Sequence, residues 1–127
     1  MKVYIVEDHE AMRIILKRLL RKNFPGITQI GESDTAEKAL EEIPVFGAHL
    51  ILVDISLPGM DGIEMIRRLK PEVREVCILV VTGHEVDIYR EESISAGAHC
   101  IVSKNDTEDL LRNVRRLLDK CKEGGCM

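Results

Sequence analysis

The sequence predicts an α/β fold of the (βα)5 kind, in which a parallel five-stranded sheet is doubly wound by helices on both faces. Five short runs rich in Val and Ile, residues 3–6, 27–31, 50–53, 77–81 and 100–102, alternate with longer stretches whose apolar residues have helical spacing. Residues 50–53 and 78–81 are apolar without alternation, as in parallel strands covered on both faces. Right-handed crossovers leave few topologies for such a chain, and the doubly wound order 2-1-3-4-5 suits five strands. In that arrangement the ligand crevice lies at the carboxyl ends of the strands.

The elements follow in order. The first run ends at the acids Glu7 and Asp8, after which Met12, Ile15, Leu16, Leu19 and Leu20 recur at i, i+3, i+4, i+7 and i+8, one face of an amphipathic helix that Pro25-Gly26 ends. The run 27–31 precedes a shorter face of Ala36, Ala39, Leu40 and Ile43. After residues 50–53 comes the loop Leu57-Pro58-Gly59-Met60-Asp61-Gly62, then a helix over 61–70 with Ile63, Ile66 and Leu69 inward, closed by Lys70-Pro71. Residues 86–96 carry the least periodic helix, and Leu110, Leu111, Val114, Leu117 and Leu118 mark the last one. Asp106 or Thr107 can cap it, with Glu108 and Asp109 at its positive end. Beyond Leu118 the pattern degrades toward Gly124-Gly125, so residues 1–120 are expected to form the domain and 121–127 a flexible tail or the start of a linker.

The 127 residues suffice for one domain with one core, and 45% hydrophobic with 31% charged residues is a globular composition. Net charge is -4, and the basic residues are spread along helices without forming a block, which argues against direct nucleic-acid binding by this chain. The apolar N-terminal run is too short for a signal peptide, and no stretch approaches the roughly 20 apolar residues of a membrane span. A cytoplasmic location with no membrane partner is the expectation. Cys77, Cys100, Cys121 and Cys126 lack the spacing of a zinc site.

A parallel arrangement of the five runs makes neighbours of Glu7, Asp8, Asp54, Thr82 and Lys104. Three carboxylates within about 4 to 6 Å repel one another by several kcal/mol at an effective dielectric near 20, so the group calls for a cation. Magnesium, which takes hard oxygen ligands and keeps waters, fits two or three carboxylates plus one backbone carbonyl, for which Ser56 is the candidate. A carboxylate beside a metal and an ammonium can attack phosphorus, because both neutralise charge on the transferring oxygens. Asp54 is placed for that role, Thr82 offers a hydroxyl to a phosphoryl oxygen, and Lys104 pairs with Asp54 before transfer and with the phosphoryl group after it.

Val6-Glu7-Asp8, Leu52-Val53-Asp54 with Leu57-Pro58-Gly59-Met60-Asp61-Gly62, Val80-Val81-Thr82, and Gly97-Ala98 with Ser103-Lys104 resemble the receiver domain of two-component response regulators over roughly residues 1–120. The resemblance implies a flavodoxin-like 2-1-3-4-5 sheet, Asp54 as phosphoacceptor, Glu7 and Asp8 as metal-binding acids, Thr82 as switch hydroxyl and Lys104 as phosphate-sensing lysine. It implies a sensor histidine kinase or phosphotransfer protein as donor, a downstream output domain or protein as recipient, and a second copy of the chain as a further partner. It implies a switch rather than a turnover enzyme.

Three positions depart from or extend the pattern. Ile101 stands where receivers usually carry an aromatic that moves with the threonine, and Asn105 stands where a proline, often cis, commonly follows the lysine, so a trans bond is expected. His84 is placed at the mouth of the site, where side chains admit or exclude the water that hydrolyses the acyl phosphate. Asn105 and His9 are similar to receivers attached to helix-turn-helix output domains of the nitrate-regulator type. Two alternatives are an interaction module of receiver shape that is not phosphorylated, and a magnesium-dependent phosphatase with an aspartate nucleophile, which would need an acid where Ser56 stands.

Overall fold

A computed structural model describes residues 1–125. The elements run β1 (Lys2–Val6), α1 (Glu10–Asn23), β2 (Gln29–Ser33), α2 (Ala36–Phe46), β3 (Leu50–Val53), α3 (Gly62–Leu69), β4 (Cys77–Thr82), α4 (Val86–Ala96), β5 (Cys100–Ser103) and α5 (Thr107–Lys122). All four strand pairings are parallel, and the order is β2-β1-β3-β4-β5. The (βα)5 fold and its strand order are those expected. No helix among the described residues is long and apolar enough to cross a membrane.

Successive side chains of a strand point to opposite faces, and the apolar strands feed two cores in this way. Tyr4, Val6, Ile51, Val53, Ile78, Val80 and Ile101 face α2, α3 and α4, meeting Ala39, Ile43, Ile63, Ile66 and Ala96. Val3, Ile5, Leu50, Leu52, Leu79, Val81 and Val102 face α1 and α5, meeting Leu16, Leu20, Val114 and Leu117. Every residue of β3 is buried, which explains its lack of alternation.

The edge strand β2 lies two residues later than the apolar run 27–31 suggests. Ile27 and Ile30 pack with the core beneath α1, while the polar Glu32 and Ser33 pair with Ile5 and Val6 through their backbones. Backbone pairing at a half-exposed edge demands no apolar side chain, so hydropathy misplaces the boundary. Gly31 belongs there for a steric reason, since a Cβ would come within 2.7 Å of the Tyr4 ring.

Helix ends show similar adjustments. α1 stops at Asn23, before Pro25-Gly26, α2 continues through Pro44 to a left-handed cap at Gly47, and the side chain of Asp106 caps α5. α5 continues past Leu118 to Lys122, and in its last turn Cys121 Sγ lies 3.1 Å from the Cys77 sulfur and 3.2 Å from the His49 carbonyl. Cys126 and Met127, the end of the expected tail, lie outside the described residues. The Lys104–Asn105 bond is trans, as are all peptide bonds among the described residues.

A repeated tripeptide fixes two strand starts. Gly47-Ala48-His49 and Gly97-Ala98-His99 each place a positive-φ glycine after a helix, then a histidine just before a strand. His49 Nδ1 accepts from the Lys2 amide at 3.0 Å while the His49 amide donates to the Lys2 carbonyl at 2.8 Å. His99 does the same to Ile78, at 3.0 and 2.8 Å. Each imidazole thus satisfies an amide at the amino end of the neighbouring strand.

Burial pushes the His99 pKa down to about 4, and the charges of Lys70 and Lys120 add to the effect. The unfolded chain takes up this proton near the ordinary value of 6.5, whereas the folded chain resists it until about 4. The stabilisation is therefore complete above 6.5 and is lost as pH falls toward 4. His99→Asn, which keeps an acceptor but does not titrate there, is expected to flatten the decline in denaturation midpoint between pH 6.5 and 4. Parallel profiles for the two proteins would contradict this assignment.

Candidate functional site

The register that aligns Val6 with Val53, and Val53 with Val80, brings the carboxyl ends of β1, β3 and β4 to one edge. Backbone bonds extend the alignment one residue further. The Asp54 amide donates to the Val6 carbonyl at 3.0 Å, Glu7 to Ser33 at 3.1 Å, and Lys104 to Thr82 at 2.9 Å. Gly62 closes over the back of Asp54, where a Cβ would come within 2.0 Å of the Asp54 carbonyl oxygen. The start of α3 can approach the end of β3 this closely only because residue 62 lacks a side chain.

The five strand-end residues are together. Glu7 is 1% exposed, Asp54 4% and Thr82 0%, while Asp8 and Lys104 are partly exposed. Lys104 Nζ contacts Glu7 Oε1 and lies 3.0 Å from Asp54 Oδ2. Donor atoms of Glu7, Asp8, His9 and Asp54 all lie within 4.8 Å of one another. Two like charges about 4 Å apart repel by about 4 kcal/mol at an effective dielectric of 20, and one ammonium cannot cancel three carboxylates.

The titration behaviour reflects that imbalance. Burial, reinforced by the Asp54 charge, holds the Glu7 pKa above the ordinary glutamate value although Lys104 pulls it down. Burial alone would lower the Lys104 pKa, but its contacts with Glu7 and Asp54 outweigh burial and raise it. Asp54 Oδ1 is buried with no hydrogen-bond partner among the described residues. An orphaned buried carboxylate oxygen beside two further acids fits a hard divalent cation, which satisfies the lone pair and supplies the missing positive charge. The site thus combines a buried, unpartnered carboxylate oxygen, an ammonium and a cluster of donor atoms that could hold a cation.

Thr82 Oγ1 accepts from the His84 amide at 3.0 Å, which ties the hydroxyl to the loop leading into α4. Ser56 is exposed at the rim, and its Oγ shares a hydrogen bond of 2.5 Å with His84 Nε2. The His84 ring in turn lies 5.5 Å from the Tyr89 ring, tilted by 54°. Ile101 is not among the carboxylates. It is 2% exposed, in the core that also includes Val80, Ala96 and Ala98, with Val86 and Tyr89 packed against it.

Sequence reasoning did not find the Ser56 to His84 bond, the Tyr89 ring or the approach of His9 to the acids. It also missed Arg13, whose Nη1 donates to the Glu7 carbonyl at 2.7 Å while its Nε pairs with Glu32 at 3.1 Å. Adjacency to Asp8 was the available signal for His9. Tyr89 and Arg13 gave none, since each acts from a helix face that also carries ordinary solvated residues. A groove lies at the opposite end of the sheet, beside His49, Val73, Glu75 and Cys121.

Residues 3–115 match the model of the response regulator receiver domain family. The Fimbriae Z protein of Salmonella typhimurium is 31% identical over 117 residues, 91% of this chain and 55% of that protein. The transcriptional regulatory protein FixJ of Bradyrhizobium diazoefficiens is 31% identical over 109 residues, 86% of this chain and 52% of that protein. The chain therefore spans about half the length of these curated relatives. The solved structure of a CheY-like response regulator receiver domain protein from Methanospirillum hungatei JF-1 has a TM-score of 0.86 at 28% identity, covering 98% of each chain. From the match over residues 3–115, and the fold and carboxylate cluster that accompany it, the chain belongs to the response regulator receiver domain family.

Proposed function

We propose that the chain is a phosphorylation switch, with residues 1–120 as its working unit and Asp54 as the phosphoacceptor. The observation that carries this reading is the division of labour on one carboxylate: Oδ2 is held by Lys104 at 3.0 Å, while Oδ1 is buried and unpartnered. A carboxylate anchored through one oxygen by an ammonium, with its other oxygen free to hold a cation, is a suitably placed nucleophile. The donor is a phosphohistidine of a sensor histidine kinase or phosphotransfer protein. One oxygen of the Asp54 carboxylate bonds to phosphorus as the phosphorus–nitrogen bond breaks, and the imidazole leaves with its electron pair and takes a proton.

Glu7, Asp8, Asp54 and the Ser56 backbone carbonyl are the proposed ligands of Mg2+, which would neutralise charge on the phosphoryl oxygens. Lys104 follows the charge from Asp54 to the phosphoryl group. Thr82 turns its hydroxyl proton toward a phosphoryl oxygen, and because its Oγ1 also holds the His84 amide, movement of Thr82 pulls the loop that starts α4. Ile101 cannot swing as a ring would, so transmission runs through His84, Tyr89 and α4. The responding surface comprises α4, the outer side of β5 and α5. It would engage an output domain or protein in the cytoplasm, or a second copy of the chain.

The Ser56 to His84 bond spans the mouth of the site and supports a role in slowing the entry of hydrolytic water. Turnover of a separate substrate is not part of this cycle, since hydrolysis only resets the chain.

Incubation with a small phosphodonor and Mg2+, followed by intact mass measurement, is expected to show one added phosphoryl group on the wild type and none on Asp54→Asn. Failure of the wild type to gain mass, or equal gain by both, would overturn the assignment. His84→Ala is expected to accelerate loss of that group about fivefold, as for a lost contact worth about 1 kcal/mol. An unchanged decay rate, followed by the same mass measurement, would remove His84 from the mechanism.

A further inference from the structure

His9 occupies the N-cap position of α1, yet its side chain makes no capping hydrogen bond. It turns toward the acids instead. Nδ1 lies 3.2 Å from Asp8 Oδ1 and 3.4 Å from Glu7 Oε2. The ring is 69% exposed, so no packing contact forces this orientation.

One donor atom from each of Glu7, Asp8, His9 and Asp54 falls within a common span of 4.8 Å. In an octahedral shell with bonds of about 2.1 to 2.4 Å, neighbouring donors lie about 3 Å apart and opposite ones about 4.2 to 4.8 Å. The four atoms therefore match the dimensions of a single ion's shell. The buried, unpartnered Asp54 Oδ1 is an independent sign of a ligand in the same place. Arg13 reinforces the arrangement by bonding the Glu7 carbonyl, which fixes the chain just before His9.

We propose that His9 Nδ1 is a protein ligand of the cation, so that the pocket offers a mixed nitrogen and oxygen donor set and prefers first-row divalent transition metals to Mg2+. This rests on the reading of the acidic pocket as a metal site and adds the ligand that sets its selectivity. Mg2+ dehydrates reluctantly and prefers oxygen, whereas the affinity of a nitrogen and oxygen site rises along the first-row divalent series that begins at manganese. His9 needs only a small movement of an exposed ring to bind, and its removal leaves the oxygen ligands intact.

The test uses Mn2+ and Mg2+ separately on the full chain and on His9→Ala and Asp54→Asn. Calorimetric titration gives affinities, and pulsed electron paramagnetic resonance of bound Mn2+ detects directly coordinated nitrogen. The expected result is nitrogen coupling in the wild type that disappears in His9→Ala, with Mn2+ affinity falling about tenfold and Mg2+ affinity changing less than about twofold. Asp54→Asn is expected to weaken both ions. Mn2+ binding with no nitrogen coupling and equal affinities in wild type and His9→Ala would overturn the role of His9 while leaving the metal pocket standing. Failure of the wild type to bind either ion would overturn both.

Discussion

Two buried carboxylates and a third at the surface share one ammonium at the carboxyl edge of the sheet, and the rest of the structure is arranged around that imbalance. A parallel sheet ends all its strands at the same side, so acids following β1 and β3 cannot avoid each other. Lys104, delivered by the end of β5, bridges Glu7 and Asp54 and is the only basic side chain that contacts both among the described residues. The bridge accounts for one positive charge. The remaining negative charge meets no second ammonium at this edge, and Asp54 Oδ1 is left without a hydrogen-bond partner among the described residues.

Such a site exists only on a rigid frame. Burial of a charge costs several kcal/mol unless it is paired, and a flexible edge would relax by letting the acids separate into water. Here the frame resists. β3 is apolar on both faces, Gly62 sits against the Asp54 carbonyl, and the Asp54 amide is bonded to β1. The same rigidity directs where a change at the site can go. Thr82 is buried but its hydroxyl reaches the β4 to α4 loop, where His84 is exposed and meets the Tyr89 ring of α4. That loop is less tightly enclosed than Ile101, which is packed in the core.

Much of this was legible in the sequence because it follows from backbone topology. Strands covered on both faces announce themselves by unbroken apolar runs, so β3 was placed to the residue and β4 to within one. Topology then put Glu7, Asp8, Asp54, Thr82 and Lys104 at one edge without any side-chain information. The edge strand β2 was displaced because its pairing is made by the backbone of Glu32 and Ser33. The last turn of α5 beyond Leu118 carries no apolar pattern, and the contact there between Cys121 and Cys77, 44 positions apart, has no local signal. His9, Ser56 and His84 depend on the direction in which loop side chains turn, which residue order does not encode simply, and Tyr89 meets His84 from the face of α4. The Gly-Ala-His repeat was in plain view, but its meaning depends on which strand amide lies opposite.

The central claim is that the site is electrostatically under-compensated, and that a cation completes it. The most direct measurement is denaturant unfolding of the wild type and Asp54→Asn, each with and without Mg2+. Without the ion, Asp54→Asn should be at least as stable as the wild type, since it removes a buried charge from an excess of acid. Added Mg2+ should stabilise the wild type by mass action and Asp54→Asn much less. A less stable Asp54→Asn, together with indifference of both proteins to Mg2+, would show that Asp54 is a satisfied structural residue and would contradict the account.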